Sequence, residues 1–151
     1  MVAVCTRTIL ESVTKLRDIA SEFAAFVREP VDRSERVEMS TLTRSVIKPY
    51  QDVLPEGLKL HARFGPDCPV LGETKLIERA IRNLFENAVQ AVGSAGEIRV
   101  SCLPAREFAE LIVEDTGPGF DEETRARLFE PFFSTKTQGS GLGLALVKKV
   151  A

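Results

Sequence analysis

Two glycine-bearing segments could bring main-chain amides close to an anionic ligand. They are EDTGPGF at 114–120 and GSGLGLALV at 139–147. In the second, amides near Gly139, Gly141 and Gly143 run into a helix start, where unpaired N–H groups and the helix dipole favour phosphate oxygens. No Gly-Lys-Ser/Thr follows, so this is not the lysine-bearing phosphate loop. In the first, a strand through Leu111–Val113 delivers Asp115 to its end, and Gly117 and Gly119 let the backbone approach a ligand. The same residues also compose an ordinary turn. Between the two lies LFEPFFSTK, 128–136. Phe129, Phe132 and Phe133 read as hydrophobic anchors of a mobile loop, with Ser134 and Lys136 at its working tip. A third group sits on a helix predicted over 73–92. At about 100° per residue, Asn83, Asn87 and Gln90 share a narrow stripe, flanked by Arg79 and Glu86. Asparagine is a mediocre helix former, so the stripe carries a propensity cost. It is either a solvated face or a binding face.

The elements that must position these groups alternate along the chain. Leu76, Ile77, Ala80, Ile81, Leu84, Phe85, Ala88 and Val92 give the 73–92 helix a broad apolar face. VEMS, 37–40, predicts a short edge strand, with Ser40 capping a helix to about Asp52. Gly57 to Phe64 predicts a strand with Leu58, Leu60, Ala62 and Phe64 on one face and Lys59, His61 and Arg63 on the other. Gly96–Leu103 and Phe108–Asp115 predict adjacent strands joined by a turn around Pro104. Asp121 begins a short helix whose positive end suits Glu122 and Glu123. A last helix is predicted from Gly141 to Ala151. Ahead of all this, residues 6–28 predict one amphipathic helix. Its apolar seam is Ile9, Val13, Leu16, Ala20, Phe23 and Val27, with the alternating steps of a heptad pattern. That seam fits one helix of a bundle, or a helix packed on its own domain. Pro30 ends the helix, and 28–36 is a polar linker. The order suggests a sheet covered by helices on one side.

Composition excludes several classes. The 151 residues are 44% hydrophobic, enough for one domain and an appendage. A formal charge of -2 gives no electrostatic footprint for nucleic acid. No segment has the apolar length of a membrane span, and MVAVCTRTILES lacks the pattern of a signal peptide. Cys5, Cys68 and Cys102 have no metal-ligand spacing, so they read as reduced thiols of a cytoplasmic protein.

Taken in order, NLFENA (83–88), EDTGPGF, LFEPFFSTK and GSGLGLALV resemble the ATP-binding domain of sensor histidine kinases, within the gyrase/Hsp90/histidine-kinase/MutL superfamily. The resemblance covers about residues 8–151. It implies an α+β fold, a two-layer α/β sandwich of the Bergerat type, preceded by one long dimerisation-type helix. Residues 1–34 would be that helix and its linker, and 35–151 the catalytic domain. The expected ligands are ATP and Mg²⁺. Asn87 would hold the metal through its amide oxygen, a hard donor suited to it. Asp115 would accept a hydrogen bond from the adenine amine, with Ile98, Val100 and Ile112 either apolar surroundings of the ring or simply sheet core. The remaining nucleotide set would be Asn83, Gln90, Gly117, Gly119, Phe129, Ser134, Lys136, Gly139, Ser140, Gly141, Leu142, Gly143 and Leu144. Lys136 and Ser134 would reach the γ-phosphate. ATP-hydrolysing relatives place a glutamate base where Asn83 stands, and an amide cannot serve as one. Glu86 and Lys136 are the candidate catalytic side chains. Many members have lysine where Gln90 stands; the glutamine resembles the nitrogen-regulation-type kinases and removes a positive phosphate contact from that position.

The resemblance further implies transfer of the γ-phosphoryl to a histidine, then to the receiver domain of a response regulator. His61 is the chain's one histidine. It alternates with charged residues on a strand and is followed by Ala-Arg-Phe, unlike the family's acceptor. The chain therefore reads as an internal piece of a longer kinase, cytoplasmic in this region, with the acceptor helix, the closing strands and any membrane anchor of the parent elsewhere. Self-association through 6–28 is expected; contact with nucleic acid or membrane is not. Two other readings fit the residues: a non-catalytic adenine-nucleotide-binding or dimerisation module, and an anti-sigma-factor-type serine kinase.

Overall fold

The computed structural model describes residues 2–27, 34–136 and 139–151. The elements run α1 (Val2–Val27), β1 (Glu35–Glu38), α2 (Met39–Gln51), β2 (Gly57–Phe64), β3 (Pro69–Gly72), α3 (Thr74–Val92), β4 (Ala95–Ala105), β5 (Phe108–Asp115), α4 (Glu122–Arg127) and α5 (Gly143–Val150). The expected Pro30 stop and residues 28–33 of the linker lie outside the described residues, as does the side chain of Ile9.

The architecture is α+β, with helices packed on one face of a mixed sheet. Strand order is β2-β4-β5; β2 and β4 are parallel, β4 and β5 antiparallel. The parallel pair follows from α3, which supplies the crossover that two parallel strands require. β4 turns Ile98, Val100 and Cys102 inward, each almost completely buried. Against them α3 packs Ile77, Ala80, Ile81, Phe85 and Ala88. Leu76, Leu84 and Val92 are only half-buried, so the buried stripe of α3 is narrower than its apolar letters predict. Gly93 ends the helix at φ 72°, a conformation that glycine adopts without strain. From α2 come Val46 and Ile47, and from α5 Ala145 and Leu146.

Two local expectations are corrected, and one strand is new. Ser40 does not cap α2. The cap position is Glu38, without a side-chain bond, and Ser40 Oγ turns inward to the carbonyl of Cys102 at 3.4 Å. Asp67, in the loop after β2, accepts from Thr41 N at 2.9 Å and from Thr41 Oγ1 at 2.8 Å. A carboxylate distant in sequence satisfies a helix-start donor here. Pro104 is not the hairpin turn but part of β4, opposite Ala109; the turn is Arg106–Glu107, with Arg106 at φ 56°. β2 pairs with β4 only as far as Cys102, so beyond that point β4 has a free edge that accommodates proline. The short strand β3 was not expected. It pairs antiparallel with β1, and its sequence PVLG carries turn-forming residues at both ends.

The other face of the sheet carries Lys59, His61 and Arg63, all exposed as the alternation predicts, but Ala62, expected on the inward face with Leu58, is exposed as well. Cys68 and Cys102 are free thiols.

Candidate functional site

The polar stripe of α3 is one wall of a cavity of about 870 Å³. Asn83, Glu86, Asn87, Gln90 and Ala91 line it from α3. The glycine turn and the first residues of α5 face them through Gly139, Ser140, Gly141, Gly143 and Leu144. Phe133, Ser134, Thr135 and Lys136 enclose one side, and Leu10, Ser12, Thr14 and Ile19 of α1 another. Three segments singled out separately in the sequence thus converge on one space.

Asn83 ties two of them. Its Nδ2 donates to the Gly143 carbonyl at 3.1 Å, and a Cβ on Gly143 would lie 3.4 Å from Asn83 Cγ. A side chain there would meet Asn83 at ordinary contact distance, so the close approach of α5 to α3 is held by this hydrogen bond and does not itself require glycine.

Asn87 and Gln90 share a cation. Lys136 Nζ donates to Asn87 Oδ1 at 2.9 Å and to Gln90 Oε1 at 2.6 Å. Both acceptors are neutral, so they solvate the ammonium without neutralising it. Burial in the cleft pushes the Lys136 pKa below the usual lysine value. The loop is folded to bring it there. Ser134 Oγ accepts from Lys136 N at 3.1 Å and lies 3.2 Å from the Lys136 carbonyl, which also accepts from Gly139 N at 3.2 Å.

Gly141 is required at the next corner. Its φ is 71°, and a Cβ there would lie 2.7 Å from Phe132 Cα and from Phe133 N. Phe132 N donates to the Gly141 carbonyl at 3.0 Å. This contact starts α5 two residues later than predicted, because Gly141 is held in a non-helical conformation. Leu142 turns its side chain into the core, 1% exposed, and its N donates to Ser140 Oγ at 3.2 Å.

Asp115, Gly117 and Gly119 stand beside the cavity rather than on its wall. Asp115 Oδ1 accepts from Gly117 N at 2.8 Å, which closes the turn after β5. A Cβ on Gly117 would lie 2.8 Å from Ala91 Cβ, so the turn packs directly on the cavity-lining part of α3. Asp115 is exposed, with one carboxylate oxygen committed to the turn. Ile98 and Val100 are sheet core, and Ile112 lies on the opposite, exposed face.

The aromatics divide in function. Phe133 is half-buried, lines the cavity and lies under the Arg127 guanidinium at 4.2 Å. Phe129 and Phe132 are exposed rather than anchored in the core. Lys148 stands 6.0 Å from the Phe129 ring, and Phe132 meets Phe23 of α1 with ring centroids 6.4 Å apart.

Tyr50 carried no motif signal, yet it buttresses the site. Its hydroxyl donates to Glu86 Oε1 and accepts from Arg82 Nη1 at 3.2 Å, while Arg82 Nη2 pairs with Glu78 at 2.8 Å. Burial, then the Glu86 carboxylate, pushes the Tyr50 pKa up. Glu86 reaches the cavity with one oxygen already engaged. Only the packing of α2 on α3 brings these residues together. The α1 side of the cavity was equally silent in the sequence, because its residues are ordinary helix formers.

Residues 72–151 match the family described as histidine kinase-, DNA gyrase B- and HSP90-like ATPase. The chain is 31% identical to the nitrogen regulation protein NtrY of Azorhizobium caulinodans, over 97% of this chain and 20% of that protein. It is 30% identical to the sensory histidine kinase/phosphatase NtrB of Rhizobium leguminosarum bv. phaseoli, over 96% of this chain and 42% of that one. It thus spans less than half the length of these relatives. Among solved structures, the nucleotide-free catalytic domain of the histidine kinase ThkA superposes with a TM-score of 0.71 at 28% identity, covering 78% of this chain and 79% of that chain. Full-length ShkA, solved with AMPPNP, superposes with a TM-score of 0.79 at 25% identity, covering 98% of this chain and 33% of that chain.

Proposed function

We propose that this chain, which belongs to the histidine kinase-, DNA gyrase B- and HSP90-like ATPase family and carries a histidine-kinase-type ATP-binding catalytic domain, presents the γ-phosphoryl of Mg-ATP to a histidine on a dimerisation helix. The observation that carries this reading is the pair of amide oxygens, Asn87 Oδ1 and Gln90 Oε1, converging on a positive charge across from the glycine turn. Such a donor set suits a hard cation, and Asn87 is the residue to hold Mg²⁺. When bound, the metal would neutralise phosphate charge and orient the oxygens. The chain's own groups do the positioning. Asp115 selects the adenine amine, amides of the Gly139–Gly143 turn receive phosphate oxygens, and Lys136 adds a charge from the loop. Ser134 holds the loop bend that aims Lys136. Asn83 offers no carboxylate to activate water, which favours phosphoryl transfer over hydrolysis.

Removing the metal ligand tests this reading. Asn87→Ala should weaken ATP binding in Mg²⁺ by at least about 10–100-fold, the loss typical of removing even an outer-shell partner of a metal ligand. In a chelator the same variant should bind nearly as wild type does. Calorimetric titration in both buffers decides it: equal losses would make Asn87 structural.

Within this reading residues 1–34 form the dimerisation helix and linker, and 35–151 the catalytic domain. The parent kinase would be cytoplasmic in this region and pass phosphate to a receiver domain. No helix among the described residues is long and apolar enough to cross a membrane. His61 lies on the sheet face away from α3 and is not the acceptor. Val13 and Leu16 leave 57% and 67% of their surface exposed on α1, an apolar seam suited to a second copy of the same helix. Val13→Glu/Leu16→Glu should shift sedimentation from a concentration-dependent dimer to a monomer. A wild type that sediments as a monomer at every concentration would rule out this mode of association.

A further inference from the structure

We infer that Gln90 is the positioning residue for Lys136, keeping its ammonium beside the metal position so that a loop-borne charge serves the terminal phosphate of the nucleotide. The inference rests on the reading of the cavity as a Mg-ATP site. Asn87 and Gln90 now share one ammonium, at 2.9 Å and 2.6 Å. A metal ion on Asn87 Oδ1 would take that oxygen from the lysine, because one amide oxygen cannot keep an ammonium and a divalent cation in the same direction. Gln90 Oε1, one turn along α3, is the shorter of the two contacts and would remain. Glutamine suits the task because it is neutral. A lysine there would repel Lys136, and a glutamate would bind Lys136 but repel phosphate. The local fold supports the same assignment. The Lys136 main chain is fixed at both ends, through Ser134 Oγ and through Gly139 N, so only its side chain needs a holder.

The role is read from a difference between two ligands. ADP lacks the terminal phosphate, so the ratio of ATP to ADP affinity in Mg²⁺ reports the contacts to that phosphate, and its change on replacing Lys136 gives the lysine's share. Far-UV circular dichroism and the melting temperature report whether each variant is folded. Lys136→Met should lower that ratio by about tenfold, the value of one charge-assisted hydrogen bond. Gln90→Met should lower it at least threefold, while far-UV circular dichroism and the melting temperature stay as in wild type. The double variant should be no worse than Lys136→Met alone, because Gln90 acts only through the lysine. Independent, multiplicative losses would overturn the inference, as would a Gln90→Met protein with the wild-type ratio. A wild type that binds neither nucleotide would overturn the reading of the cavity itself. A wild type that prefers ATP, with a ratio insensitive to Lys136→Met, would overturn this inference alone.

Discussion

Asp115→Asn is expected to weaken ATP and ADP binding by about 10- to 150-fold, the loss of a hydrogen bond to a charged acceptor worth roughly 1.5–3 kcal/mol. Asparagine is chosen because of the local geometry. Asp115 Oδ1 already accepts from Gly117 N at 2.8 Å, and an amide oxygen can keep that bond. The turn, and its packing on Ala91, should survive. What changes is the second oxygen, which becomes an NH₂ and, in the proposed role of Asp115, would face the adenine amine donor to donor. Asp115→Ala, by contrast, removes the turn bond as well and should also lower the melting temperature. Calorimetric titration with ATP, ADP and GTP, beside a thermal melt, separates the two effects. If asparagine leaves adenine-nucleotide affinity intact, or if GTP binds as ATP does, Asp115 does not read the base.

Phe85→Ala should be the most destabilising single change in the catalytic region, at about 3–5 kcal/mol. Phe85 is completely buried between α3 and the sheet. Its ring meets that of Tyr50 edge-on, with centroids 5.0 Å apart. Truncation leaves a cavity and withdraws the support of Tyr50, whose hydroxyl holds Glu86 at the site. Urea denaturation should show a lower midpoint with an unchanged slope. Leu84→Ala, one residue away but only half-buried, should cost clearly less. Equal losses at the two positions would mean that the α3 packing face is misassigned.

The sequence alone determined what depends on local order and residue chemistry. Period-3.6 apolar spacing placed α3, and alternation gave β2 its outward Lys59, His61 and Arg63, because one-sided burial leaves a periodic trace. Asp121 was legible as the start of α4; in the structure it is the residue before the helix and caps it, accepting from Thr124 N at 2.7 Å across three residues. The four motif blocks identified the family because their order is itself information. Tertiary structure decided what depends on partners distant in the chain. Asp67 took the cap role assigned to Ser40, since a carboxylate 26 residues away reached the helix start. Pro104 stayed in β4 because the neighbouring strand β2 ends at Phe64, opposite Cys102. Phe129 and Phe132 carry the same aromatic signal as Phe133, yet only Phe133 lines the cavity. The link of Lys136 to Gln90, 46 residues apart, has no local signal at all. A lysine on a loop and a glutamine on a helix are ordinary residues until folding sets their polar atoms within one hydrogen bond of each other.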